Sequence, residues 1–261
     1  MDKASYLKSF QTSSQTIAAA ARRDPHAPLP SCPEWTMTTL LGHLATIYIS
    51  VARYIHDGTG ENIVNEIADL HLTPEYEAWY EGGRKDDQAP PDIVTWFEEA
   101  AAGVGSASNV AAPAARCWTW YRPDQTVGFW LRRMAQETSI HAWDTELAQG
   151  DPGPIDSELA ADGVDEALFI YQAVVCRSKS ALEGRGESYH LHRTDGPGEW
   201  LARFEGTGMT VRREHARGDV ALRGPASDLV LYLWHRIPAD RLEIHGDSAL
   251  IARYFELVPP D

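Results

Sequence analysis

Cysteine is scarce in this chain. Its 261 residues hold three, Cys32, Cys117 and Cys176, widely spaced and without a C-x-x-C pair. An odd, scattered set excludes a disulfide framework and a thiolate zinc site, and suits a protein of the reducing cytoplasm. Basic charge is also in short supply: 23 Lys and Arg stand against 38 Asp and Glu, for a formal net charge of −15. Nucleic acids and anionic membrane surfaces both need a basic footprint, so neither is an expected partner. No apolar run approaches the ~20 residues that cross a bilayer, and the stretch MDKASYLKSFQTSSQTIAAAARRDP has no apolar signal core. The motifs G-x-S-x-G, G-x-x-x-x-G-K-[ST] and G-x-G-x-x-G are missing, which removes hydrolase-elbow, nucleotide and dinucleotide readings. Internal repeats and low-complexity tracts are lacking too.

What is present describes a folded chain. Hydrophobic residues make up 43%, with nine Trp and ten Tyr, enough for a sizeable core in one large or two smaller domains. Helical spacing of Tyr6, Phe10, Ile17 and Ala21 predicts a helix over 3–23, stopped at Asp24-Pro25. After a proline-studded link, Thr36 caps a second helix running to about Gly58, with Leu40, Leu44, Ile47, Val51, Tyr54 and Ile55 in one stripe. A short helix follows Thr73-Pro74, GGRKDDQAPP reads as an exposed loop, and a third long helix starts near Asp92. Thr126 and Gly150 bound a fourth. Four such helices predict an antiparallel bundle over 1–150. Residues 151–183 are expected to form a connecting helix packed on the bundle. After Gly184 the period shortens to two, predicting a C-terminal α+β domain over 184–261 with helices on one face of a small sheet.

One constellation offers chemistry. Glu137 and His141 stand four apart in the fourth long helix, so their side chains share a face. A solvated polar face looks the same. His43, however, lies between Leu40 and Ile47 on the apolar stripe of the second helix, where a histidine is either a hydrogen-bonded core residue or a ligand supplied to a metal. Facing helices of a bundle build metal sites in this way. Three N/O ligands with open positions are the pattern of catalytic rather than structural zinc. Such a site carries a charge of about +1, suits an anion, and lowers the pKa of a bound thiol. Asp144 either orients a ligand imidazole or pairs with an arginine.

Other candidates are weaker. Cys32, in a Pro-flanked turn, reads as a packed thiol. His190 and His192 point to one side of a strand, but nothing acidic accompanies them in sequence, and they read as surface. Trp118, Trp120 and Tyr121 either pack on the bundle or line a pocket mouth, and Arg53, Arg132 and Arg133 are available cations.

Taken together, three segments resemble one family. SCPEWTMTTLLGHL is similar to the first signature of mycothiol-dependent maleylpyruvate isomerases, RRMAQETSIHAWDTEL to the second, and GDVALRGPASDLVLYLWHR to a C-terminal segment, all in the family's order. The resemblance implies a DinB-like four-helix bundle joined to a small α+β, sterol-carrier-like domain. It implies a zinc ion, or another divalent metal, held by His43, Glu137 and His141, with mycothiol as cosubstrate. It also implies a C-terminal arginine in catalysis, matched by Arg236 with Arg223 as rival.

The resulting expectation is a cytoplasmic enzyme, monomer or homodimer, in which a thiol activated at the metal attacks a small electrophile, as S-transferase or cis–trans isomerase. Two other readings stand beside it: a metal-stabilised small-molecule carrier without turnover, and a zinc-hydroxide hydrolase with Asp144 or Glu146 as general base.

Overall fold

A computed structural model describes residues 1–150, 152–176, 178 and 182–259, the side chains of 175 and 176 excepted. The side chain of Cys176 and residues 177 and 179–181 of the expected connecting helix therefore lie outside the described residues. Two compact units divide the chain, Met1–Gly153 and Pro154–Asp261.

The first unit is built on four long helices: α1 (Lys3–Arg23), α2 (Met37–Asp57), α4 (Ile93–Val110) and α5 (Val127–Ala148), with a short α3 (Pro74–Glu81) in between. Their starts follow side-chain chemistry. Asp2 accepts from Ser5 N at 2.8 Å, and Thr36 and Thr126 accept at 3.4 Å from the amides three residues on. Each such cap is worth about 1 kcal/mol. α2 ends at Gly58, whose φ of 65° is left-handed and suits a residue without Cβ. α1 packs on α5 and α4, and α2 on α4 and α5, closing a four-helix ring. Its interior holds Ile17, Leu40, Leu44, Tyr48 and Phe97, all fully buried. The Tyr48 hydroxyl lies 2.7 Å from Thr138 Oγ1, which avoids a buried unsatisfied group costing about 1–3 kcal/mol.

The segment 82–91, expected as an exposed loop, is fastened to this bundle. Asp86 accepts from Thr36 Oγ1 at 2.7 Å, from Thr38 Oγ1, and from His26 Nδ1 at 2.7 Å. Its carboxylate thereby sits at the N-terminus of α2, where the helix dipole favours negative charge. Trp79 of α3 brings the edge of its six-membered ring against Gly42: a Cβ there would stand 2.6 Å from the indole.

The second unit begins with α6 (Ser157–Glu166), which continues as a π-helix over Ala167–Cys176. Strands β1 (Gly184–Arg193), β2 (Glu199–Gly206), β3 (Gly208–Arg212), β4 (Val220–Gly224) and β5 (Glu243–Gly246) form a sheet in the order β3-β2-β1-β4-β5. All neighbours are antiparallel except β1 and β4. α7 (Ala226–Leu233) packs on β4 and β1, and α8 (Ala249–Leu257) brings Tyr254 against Tyr189 and Phe204. The stretch 151–183 was expected to pack on the bundle. Within the second unit α6 lies against α7, and its apolar residues Leu159, Ala160 and Val164 are buried. No helix of the described residues is long and apolar enough to cross a membrane.

Candidate metal centre

His43 on α2 and Glu137 and His141 on α5 come together. His43 Nε2 is 3.3 Å, and His141 Nε2 3.4 Å, from the same oxygen, Glu137 Oε1. One donor atom from each lies within 4.8 Å of the others. Ligands around tetrahedral zinc, at ~2.0–2.1 Å from the ion, stand roughly 3.3 Å apart, so the trio needs little adjustment. The side chains of Glu137 and His141 are 16% and 8% exposed, while that of His43 is 28% exposed. The group is open on the His43 side and closed behind.

What closes it behind also orients it. His141 Nδ1 lies 2.9 Å from Asp144 Oδ2, and Asp144 is fully buried, accepting from Ser31 Oγ at 2.6 Å and facing Cys32 Sγ at 3.8 Å. The contact with His141 is the one that the first of the two roles open to Asp144 requires. With Nδ1 committed there, the other ring nitrogen is left toward Glu137 and His43. The second oxygen of Glu137 is held by Arg133, one turn earlier on α5.

The electrostatics follow from these neighbours. Burial opposes ionisation of Glu137, but the Arg133 charge and the hydrogen bonds from His141 and His43 hold its carboxyl well below the usual carboxylate range. Burial also opposes charging of His141, yet Asp144 and Glu137 outweigh it and raise that imidazole. His43 moves the other way: burial lowers it, with His141 and Arg84 adding to the effect against Glu137. A carboxylate and a neutral imidazole are the forms that ligate a metal.

Two residues at this site carried no assigned role in the sequence reading. The Trp35 ring stands 4.8 Å from that of His43 and lies nearly parallel to that of His141 at 6.1 Å. Arg84, from the fastened loop, places its guanidinium 5.8 Å from the Trp35 ring centre, and its Nη1 is buried without a hydrogen-bond partner among the described residues. Trp35 sits inside the SCPEWT motif and had a signal; Arg84 stands in a polar loop and had none.

The remaining candidates have these neighbours within their own units. Trp118 packs on Tyr54 and Trp130, and Trp120 and Tyr121 on Phe129, so this aromatic run is packing. Glu146 lines a surface hollow between α1 and α5 with Gln15 and Thr16. Arg223 pairs with Glu243 across β4 and β5, at 2.8 Å. Arg236 Nη1 donates to Trp234 O at 2.7 Å and lines a hollow of the second unit with His235 and Phe255. His190 and His192 overturn the surface reading: His190 is buried, and Glu199 of the neighbouring strand joins both. Only strand pairing reveals that carboxylate.

Residues 7–146 match the family described as "Mycothiol maleylpyruvate isomerase N-terminal domain", and residues 158–253 match "MDMPI C-terminal domain". The chain belongs to the mycothiol-dependent maleylpyruvate isomerase family. Membership places it among enzymes. His43, Glu137 and His141 all fall within the first of the two family domains, and Arg236 within the second. Crystal structures of the mycothiol-dependent maleylpyruvate isomerase and of its histidine-to-alanine mutant are similar over 95% of both chains, with TM-scores of 0.63 and 0.62 at 15% identity. At that identity the likeness is one of fold: a DinB-like helical bundle followed by an α+β domain. No curated protein sequence matches the chain.

Proposed function

We propose that this chain holds a divalent metal, zinc by preference, at His43, Glu137 and His141, and uses it with a low-molecular-weight thiol of the mycothiol kind. The observation that carries the reading is the convergence of two imidazoles and one carboxylate on a half-open point, with Asp144 fixing the ring orientation of one ligand. This donor set fits zinc in its catalytic form, with three protein ligands and an open position. Bound there, the metal would supply a Lewis acid that lowers the pKa of a coordinated thiol toward neutrality.

The chain's own residues do the rest. Arg133 keeps Glu137 ionised without contributing a ligand atom. Trp35 walls one side of the imidazole pair and excludes water from it. Arg84, with a buried and unpartnered Nη1, provides a cation for an anionic substrate group such as a carboxylate. The thiolate sulfur would then bond to an electrophilic carbon. Retention of that bond is S-transfer; its cleavage after rotation about the former double bond is cis–trans isomerisation. A part for Arg236 rests on the family resemblance alone, and a cytoplasmic location fits the three scattered cysteines.

The test is metal content and thiol-dependent turnover of tag-free wild type and His43→Ala, assayed with maleylpyruvate for isomerisation and with epoxide or halide electrophiles for thiol consumption. The wild type should carry about one more metal at this site than the variant and show turnover only with thiol. Equal zinc in both proteins, or no thiol dependence with any electrophile, rejects the reading.

A further inference from the structure

A second constellation of ligand-type side chains lies in the second unit, far along the sequence from the first. His190 and His192 are two apart on β1 and share a face of the sheet. Glu199 opens β2 directly opposite His192 in the antiparallel register, so its carboxylate rises on that same face. His190 Nε2 lies 2.9 Å from Glu199 Oε2, and His192 Nδ1 lies 3.3 Å from Glu199 Oε1. A third imidazole, His215, reaches the carboxylate from the connection between β3 and β4 through Nδ1. One donor atom from each of the four lies within 4.8 Å of the others.

The connection that carries His215 is anchored on both sides of it. Before it, Arg213 forms a two-point ion pair with Asp165 at 2.5 and 2.8 Å and stacks its guanidinium over Phe169. After it, Gly218 runs so close to β1 that a Cβ would stand 2.9 Å from His190 N and 3.0 Å from Ser188 O. Asp219 then accepts from Ser188 N at 2.8 Å and from Ser188 Oγ at 2.7 Å. His215 is thus held above the strand pair by its neighbours, although its own ring is 80% exposed.

We infer that His190, His192, Glu199 and His215 form a second metal site, for a zinc-like divalent cation. Four N/O ligands complete a tetrahedron without solvent, which is the composition of a structural site, in contrast to the three-ligand group on the bundle. Imidazole-rich sets select late first-row ions such as zinc, nickel or copper over magnesium or calcium. The ion would tie the His215 end of the β3–β4 connection to β1 and β2, beside the carboxylate of Glu199.

Zinc titration of chelator-stripped, tag-free full-length protein, read by calorimetry and elemental analysis, tests this. Wild type should bind two equivalents. His43→Ala should lose one, while the double variant His192→Ala/His215→Ala should lose the other and keep the first. Hydrogen exchange in residues 213–218 should slow at least several-fold on filling the second site in His43→Ala, and not in the double variant. Glu199→Gln serves as an independent variant should the double variant fail to fold. The inference is overturned if His43→Ala binds no equivalent, if the equivalent bound by His43→Ala survives when either the double substitution or Glu199→Gln is added, or if it binds no more tightly than about 0.1 mM.

Discussion

Asp144 Oδ2 sits 2.9 Å from His141 Nδ1 inside a fully buried corner that Ser31 also enters. On the proposed metal-site reading, this makes Asp144 a positioning residue. Asp144→Asn keeps the shape and one acceptor oxygen but removes the charge that makes His141 a better donor. Loss of such a partner weakens metal binding roughly 10–100-fold. Competition with a chromophoric chelator should show at least a tenfold weaker zinc affinity, with helical content unchanged by circular dichroism. Unchanged affinity would mean that His141 is not a ligand or that Asp144 does not orient it.

Gly42 precedes His43 and lets the edge of the Trp79 ring approach the α2 backbone, and Trp79 Nε1 donates to Lys85 O at 2.8 Å, beside Arg84. In Gly42→Ala the new methyl would meet the ring at 2.6 Å, and a rigid indole must move with its loop. Overpacking of this kind costs about 1–3 kcal/mol. The Tm of the first unit should fall, and protease cleavage within 82–90 should accelerate. If Arg84 binds the substrate anion, KM should rise with kcat nearly constant. A variant as stable and as protease-resistant as wild type would show that this contact does not hold the loop.

How much of this was readable beforehand depends on the range of the interaction. The bundle helices were legible because caps and breakers are local: Thr36, Gly58 and Thr126 act on residues within one turn. The α5 pair Glu137 and His141 was legible for the same reason, and His43 because a polar residue interrupts an apolar stripe. Arg84 was not, since nothing in GGRKDD announces that Asp86 will be captured by Thr36, Thr38 and His26 and carry the loop inward. Glu199 was not, since its pairing with His190 and His192 follows from strand register across a turn. The partner of 151–183 was not legible, because an amphipathic helix shows that it has an apolar face and leaves its partner open.

His235 belongs to neither metal-type group and provides a pH test of its own. It adopts a left-handed φ of 58°, its Nε2 is buried without a hydrogen-bond partner among the described residues, and it packs on Phe255. Burial, helped by the adjacent Arg236 charge, pushes its pKa down to about 4. An unfolded histidine titrates near 6.5, so between about 6.5 and 4 the unfolded state binds a proton that the folded state refuses. Stability conferred by neutral His235 is therefore complete above about pH 6.5 and is lost as pH falls toward 4. Partial exposure limits the loss to on the order of 1 kcal/mol, which for a domain of this size is roughly 4–8 °C in Tm. Asn tolerates the same φ and does not titrate, so His235→Asn should lose less stability over that range. The Tm difference, wild type minus variant, should shrink from pH 6.5 to 4 and level off below. Parallel Tm curves for the two proteins would show that His235 is protonated as readily in the fold as outside it.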